Sequence, residues 1–305
     1  MRQAWSHDPG AFLYTADYLN SMVYSPGAGP DFAPTLYEDG RPVGFASCFP
    51  RAVVVDGREL SVVVSAHLSI SPKYQKLGLG GVLLGEVVKR AKASGYDGMV
   101  QYCIVDGPMN SIVLGVGRVL GIPVQHVYSI GYRSRILFPA ARLEVEPVEP
   151  EADQRQAPSM LVALASEIAP SKGLIRKWSA GQAEWQCNRA GAVAEVLVSG
   201  SRRGMLTGYV IQLAADGNPG CLVIDDVLWG TLESAERSVL LKRFLQRASA
   251  AGARLAIVPS LGYADLTPFE AGNFRPSTRV LNAYLSIWSG GEPSGLLPAF
   301  YLDVF

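Results

Sequence analysis

The spacing of apolar and polar residues changes period along this chain, and each change marks an element. After Asp8-Pro9, residues Ala11 to Tyr24 carry helix-like apolar spacing and predict an opening helix. Thr35 to Glu38 and Pro42 to Val55 read as strands on either side of the hairpin signal Asp39-Gly40. Asp56-Gly57 turns the chain into Leu60 to Ser71, a Val-rich run whose near-continuous apolar character suits a central strand covered on both faces. From Leu79 the period lengthens. Leu79, Val82, Leu83, Val87 and Ala91 share one helical face, Glu86, Lys89, Arg90 and Lys92 the other, and Gly95 is placed to close the helix. A strand over Met99 to Val105, an apolar helix over Asn110 to Leu120 and a strand over Gln125 to Arg135 follow.

The second half repeats this grammar. Residues 144–158, with Pro147, Pro150 and Pro158 and little to bury, predict a linker between a first domain over 1–143 and a second over 159–305. A helix is expected over Ser159 to Ile168. Strands at Glu195 to Val198 and Leu206 to Leu213 join across Ser199-Gly200-Ser201, and Cys221 to Trp229 leads into a helix over Ala235 to Ala251 and a strand over Leu255 to Pro259. Ile70 to Gly95 and Val227 to Gly252 are both steps of 25 residues, as expected of a divergent internal duplication. The fold class expected is α/β, two domains side by side across a shared cleft, each a mixed, mostly antiparallel sheet flanked by helices. The C-terminal Phe300 to Phe305 reads as a strand that fills the place of an opening strand in the first domain, which would bring the terminal carboxylate near the site.

Composition narrows the function classes. Lys plus Arg and Asp plus Glu number 27 each, so the chain lacks the basic excess with which proteins usually neutralise nucleic-acid phosphates, and no DNA partner is expected. Cys48, Cys103, Cys187 and Cys221 have no C-x-x-C spacing, so neither structural zinc nor a disulfide framework is expected, and no metal is assigned. No apolar run reaches the ~20 residues of a membrane span, and the first residues lack a signal-peptide pattern, so the expectation is a cytoplasmic enzyme with no membrane partner.

The chemistry is carried by Leu68-Ser69-Ile70-Ser71-Pro72-Lys73-Tyr74-Gln75-Lys76-Leu77-Gly78-Leu79-Gly80-Gly81. A buried strand runs into a glycine-containing loop that opens an amphipathic helix. Unpaired N–H groups and the partial positive charge at such a helix start suit a pyrophosphate, and the glycines let the backbone approach phosphate oxygens. Gln75-x-x-Gly78-x-Gly80 resembles the Q/R-x-x-G-x-G/A loop of GNAT-family N-acyltransferases, with the L-x-I-x-P lead-in at Leu68, Ile70 and Pro72. The resemblance covers most of residues 11–138 and implies GNAT-like domains with the coenzyme A loop only in the first. In the family this loop binds the pyrophosphate of coenzyme A, which assigns Leu68, Ser69, Ile70, Gln75, Lys76, Leu77, Gly78, Leu79, Gly80 and Gly81 to the donor. Backbone amides near Ser69 and Ile70 would polarise the thioester carbonyl in the gap where the central strand splays from the next one.

Asn110 and Gly121-Ile122 match the ends of the family's N-x-x-A-x-x-L-Y-x-x-x-G-F helix. That match adds Asn110 to the donor site, with a helix cap as the other reading. Gly117 stands where the family often has the Tyr that protonates the departing thiolate. The general base expected is His67, beside the lead-in, and Tyr102, Tyr128 or Tyr132 would replace the missing acid. Cys103 has no His or Asp partner by spacing to make it an acyl carrier. Gly115-x-Gly117-x-x-x-Gly121 imitates a dinucleotide loop without its strand or its acidic residue. In the second domain the corresponding loop, Gly230 to Glu236, has two carboxylates and no glycine pair, so no coenzyme A is expected there. Asp225 and Asp226 either hold a cationic acceptor or take arginine partners.

The resemblance implies transfer of an acetyl or other short acyl group from an acyl-coenzyme A co-substrate to an amine of a small molecule or peptide, directly and in a ternary complex. The other readings are a tRNA- or carrier-protein-dependent transferase and a non-catalytic acyl-coenzyme A module.

Overall fold

A computed structural model describes residues 11–138, 154–168, 173–291, 293 and 295–304. Strand β1 (Phe12–Leu13) and helix α1 (Ala16–Val23) open it. The helix expected from residue 11 starts later because the Thr15 side chain accepts from the Tyr18 amide at 3.2 Å and caps it. Strands β2 (Thr35–Glu38), β3 (Arg41–Val55) and β4 (Arg58–Ile70), helix α2 (Leu79–Ala93), β5 (Gly98–Ile104), α3 (Pro108–Leu120) and β6 (Gln125–Ile136) follow in the expected order. Of the expected linker, residues 144–153 lie outside the described part. Gln154–Gln156 forms a 3-10 turn.

Beyond that turn come α4 (Ala157–Ser166), β7 (Gly173–Lys177), α5 (Ala180–Asn188), β8 (Ala192–Ser199), β9 (Arg202–Leu213), β10 (Gly220–Leu228) and α6 (Ser234–Ala250). The chain closes with β11 (Ala253–Ser260), α7 (Thr267–Ala271), β12 (Arg275–Ile287) and β13 (Ala299–Tyr301). The expected duplication is visible in β3-β4-α2-β5 and β9-β10-α6-β11, whereas β7, α5, α7 and β12 had no signal in the sequence reading.

The two expected sheets are one. Thirteen strands form a continuous mixed sheet whose main path runs β1-β9-β10-β11-β6-β12-β5-β4-β3-β7-β13, with β2 on β3 and β8 on β9. The halves trade strands to achieve this: β12, from the second half, lies antiparallel between β5 and β6 of the first, and β6 pairs onward with β11. The C-terminal strand β13 runs parallel to β7, and β7 is antiparallel to β3. It therefore reaches the first half through an intermediary, and Phe305 lies outside the described residues.

On one face of the first-half sheet, α2 and α3 cover Ala46, Cys48, Val63, Met99 and Cys103. On the other, here called the inner face, Val62, Val64, Val100 and Ile130 pack under Leu281, Phe300 and Leu302 from the second half. At about 25 cal/mol per Å² of apolar area, this burial of second-half side chains on first-half strands ties the halves into one cooperative unit.

Candidate active site

Strands β4 and β5 pair in parallel from Val62↔Gly98 to Ser65↔Gln101 and then part, although β4 continues to Ile70 and β5 to Ile104. Each is held on its far side, β4 by β3 and β5 by β12, so the parting leaves a wedge between them. A bulge in β4 contributes. Phe45 faces Ser69 and Ser47 faces Ala66, so one β3 residue, Ala46, stands opposite two, His67 and Leu68. His67 carries this bulge with φ +56°, the left-handed region that a β-carbon disfavours.

The ladder decides which amide enters the wedge. The Ser71 amide donates to Val43 of β3 at 2.9 Å, so successive residues face alternate edges: Ser69 faces β3 and the Ile70 N–H faces the gap. Of the two amides expected to polarise a carbonyl, Ile70 has the direction and Ser69 does not. The Ile70 carbonyl accepts from Gln75 Nε2 at 3.2 Å. Gln75 therefore braces the loop against the strand, where the family resemblance had it at the phosphate.

Past Gln75 the chain enters Lys76 at φ +65° and Gly78 at φ +78°, then α2 begins. No side chain caps α2, so the first-turn amides of Leu79 and Gly80 are left for a ligand. A β-carbon on Gly80 would lie 3.3 Å from Ile112 and 3.7 Å from Leu68, so the helix start is pressed against both α3 and the wedge. Leu77 is exposed. Lys73, also at the loop, makes an exposed ion pair with Glu38 at 3.6 Å.

Asn110 is placed at the wedge mouth but is occupied. It donates to the carbonyls of Ile104 at 2.7 Å and Gly107 at 3.0 Å and accepts from the Tyr284 hydroxyl at 2.9 Å, so it ties β5, α3 and β12 together. It is not the helix cap: Gly107 holds that position in α3, and no side chain accepts from the first-turn amides there. Gly117 has no room for the missing tyrosine, because its β-carbon would lie 2.3 Å from Val124 Cγ2 and 3.0 Å from the Ile122 carbonyl. Burial pushes the Cys103 thiol up to about 12, which removes it as a nucleophile at neutral pH.

The catalytic candidates do converge on the inner face beside the wedge. Tyr14 lies edge-on to His67 with ring centroids 4.7 Å apart, and Tyr18 and Phe49 stand 5.9 Å from the same ring. His67 Nδ1 is 2.8 Å from Ser47 Oγ. Burial lowers its pKa to about 3, so it is neutral at physiological pH and a weak base. Tyr132 is raised by burial, partly offset by the Arg279 charge. Tyr102 is raised well above the ordinary tyrosine value by burial and by the Asp303 charge, and its hydroxyl donates to the Asp303 carbonyl at 2.6 Å. Both tyrosines stay protonated, and that of Tyr102 is directed away from the wedge.

Asp225 and Asp226 take the structural option. Asp225 is the bulged residue of β10, paired with Arg189 and accepting from Gln186 at 2.8 Å, and burial raises it to about 7. Asp226 accepts from Thr207 and, at 2.7 Å, from the Tyr301 hydroxyl. Beside them Asp303 binds the buried guanidinium groups of Arg51 and Arg176. Sequence reasoning missed Tyr14, Tyr18 and Asp303. The only signal was a charge set within the apolar run Phe300 to Val304. A cavity of about 390 Å³ between α4, α5 and Arg247 lies in the second half.

Comparison with known proteins agrees with this geometry. Residues 4–116 match the acetyltransferase (GNAT) family model, whose reach ends within α3. No curated protein matches the sequence. Among solved structures, Saccharomyces cerevisiae N-myristoyltransferase with bound myristoyl-CoA aligns over 92% of this chain and 71% of that one, at 15% identity and a TM-score of 0.70. Another structure of that enzyme with myristoyl-CoA aligns over 90% and 74%, also at 15% identity, with a TM-score of 0.69. A GCN5-related N-acetyltransferase from Anabaena variabilis aligns over 88% of this chain and 64% of that one, at 12% identity and a TM-score of 0.51. At such identities the likeness is one of fold. Among the described residues, no helix is long and apolar enough to cross a membrane.

Proposed function

We propose that this protein, whose residues 4–116 match the acetyltransferase (GNAT) family model, transfers a short acyl group from acyl-coenzyme A to the amine of a small molecule or peptide. The observation that carries this reading is the uncapped glycine start of α2 directly below the open wedge. The pyrophosphate would lie on the amides of the loop from Lys76 to Gly81, where the helix dipole favours an anion. The pantetheine would follow β4 into the wedge, and the Ile70 N–H would donate to the thioester oxygen as charge develops there.

The acceptor amine would arrive from the inner face, between His67, Tyr14 and Tyr132. Attack of its lone pair on the carbonyl carbon breaks the C–S bond, and the proton the nitrogen loses passes to the departing thiolate, so that the products are the amide and the free thiol of coenzyme A. A His67 held neutral down to about pH 3 is too weak to take a proton from an ammonium ion. The amine therefore enters in its neutral form, and His67 and Tyr14 orient it.

Titration of the protein with acetyl-coenzyme A tests the donor site. Gly80→Asp adds a carboxylate at the helix start and a side chain toward Ile112, and should weaken binding by about 100-fold or more. Unchanged affinity in that variant would refute the assignment of the loop.

A further inference from the structure

Strand register fixes what lies at the closed end of the wedge. Pairing stops at Ser65↔Gln101, so the next residues along each strand, Ala66 and Tyr102, form its apex. Side chains alternate along β5. Met99 and Cys103 face α2 and α3, whereas Val100 and Tyr102 face the inner side. Tyr102 is therefore the first large side chain that a group extending from the wedge toward the inner face would meet on β5.

It is also a fixed one. Its hydroxyl donates to the Asp303 carbonyl at 2.6 Å and its ring lies edge-on to Phe300 with centroids 6.1 Å apart. Phe300 is fully buried, and Asp303 is itself anchored by Arg51 and Arg176, so the anchor of the hydroxyl has no freedom to retreat. On the α2 face of β5 the space lined by Leu84, Val88, Met99, Gln101 and Val113 measures about 10 Å³, room for no more than one water.

We propose that Tyr102, held by Asp303, limits the donor to short acyl chains by filling the space at the wedge apex that a longer chain would need. This rests on the donor reading above. The Ile70 N–H that would hold the thioester oxygen lies three ladder steps beyond the level of Tyr102, since Gly44 and Ser47 of β3 stand opposite Ile70 and Ala66; that is roughly 10 Å, shorter than an extended decanoyl chain. Acetyl to butyryl groups fit within that distance. A decanoyl chain has to displace a ring that is tethered at both ends. The second half thus sets a property of the first-half site, through the C-terminal segment that carries Phe300 and Asp303.

The test is calorimetric binding of coenzyme A and of acetyl-, butyryl-, hexanoyl- and decanoyl-coenzyme A to the full chain and to two variants. In the parent, acetyl and butyryl thioesters should bind within about threefold of each other and decanoyl at least about tenfold more weakly. Tyr102→Ala should raise the decanoyl-to-acetyl affinity ratio about tenfold or more, and Tyr102→Phe, which keeps the ring and loses the tether, should fall between. A parent that binds decanoyl- as tightly as acetyl-coenzyme A would overturn the proposal without any variant. So would a Tyr102→Ala protein with the parent's chain-length profile. Failure of coenzyme A itself to bind the parent would instead overturn the donor reading, and this proposal with it.

Discussion

In the first half, β4 and β5 pair from Val62 to Ser65 and then part; in the second, β10 and β11 pair from Gly220 to Val223 and then part in the same way. Each leading strand carries a bulge just beyond, at His67 and Leu68 in one and at Asp225 in the other. The finish differs. In the second wedge the Val227 amide donates to the Tyr263 hydroxyl at 3.0 Å, where the corresponding Ile70 amide of the first faces the gap. The second helix start, at α6, is closed by a capping box of Glu233 and Glu236, and Arg202 pairs with both. The first has Gly78 and no cap. One backbone plan gives an open helix start or a sealed one, according to whether side chains of the same chain satisfy its loose amides.

The largest effect is expected at the joint both wedges lean on. Asp303→Ala strips two buried guanidinium groups of their partner and should cost about 3–5 kcal/mol, read as a lowered thermal midpoint. A midpoint equal to the parent's would mean that the halves do not depend on this cluster. Tyr263→Phe unseals the second wedge and leaves the buried Val227 amide without its acceptor, at about 1–3 kcal/mol in urea unfolding. The measurement sharpens the comparison if coenzyme A stoichiometry stays at one. A second equivalent bound would show that the tyrosine alone had closed a latent donor site.

The two bulges should respond to acid in opposite senses, because burial favours the neutral form of both groups. His67, lowered to about 3 from an ordinary 6.5, contributes stability that is full above pH 6.5 and lost as pH falls toward 3. Asp225, raised to about 7, contributes stability that is full below its unfolded value and lost as pH rises toward 7. Relative to the parent, His67→Gln should therefore gain stability as pH falls from 6.5, and Asp225→Asn as pH rises from 4, each by up to about 4 kcal/mol across its full window. Equal slopes in the two variants would contradict the placement of either group. The smallest effect is expected from Glu236→Ala, which opens the capping box at a cost of about 1 kcal/mol and should leave donor affinity untouched.

The glycine loop was legible because its structure is local: a strand, Gly78 and Gly80, and a helix are contiguous in sequence, and φ/ψ permission at glycine is a property of the residue. The same holds for the duplication and for the carboxylate pair that seals α6. Gln75 and Asn110 were legible as residues but not as roles. Which acceptor an amide group finds depends on the carbonyls folded beside it, here those of Ile70, Ile104 and Gly107.

β12 was not legible at all. It enters through Arg275, Pro276, Ser277, Thr278 and Arg279, a polar stretch whose register breaks between Pro276 and Val280 before the apolar alternation begins. Its place between β5 and β6 is a long-range pairing that no local pattern encodes.

The sequence by itself therefore determined the elements of both halves that repeat, the helix start that suits a pyrophosphate, and the glycine at position 117 in place of the family's tyrosine. The tertiary structure decided that the halves share one sheet, that Tyr102 is tied to Asp303 some 200 positions away, and that His67 and Asp225 are held near neutrality. Propensity and turn chemistry act over a few residues and are written in order along the chain. Burial, charge pairing and strand exchange depend on which distant surfaces meet, and only folding brings those together.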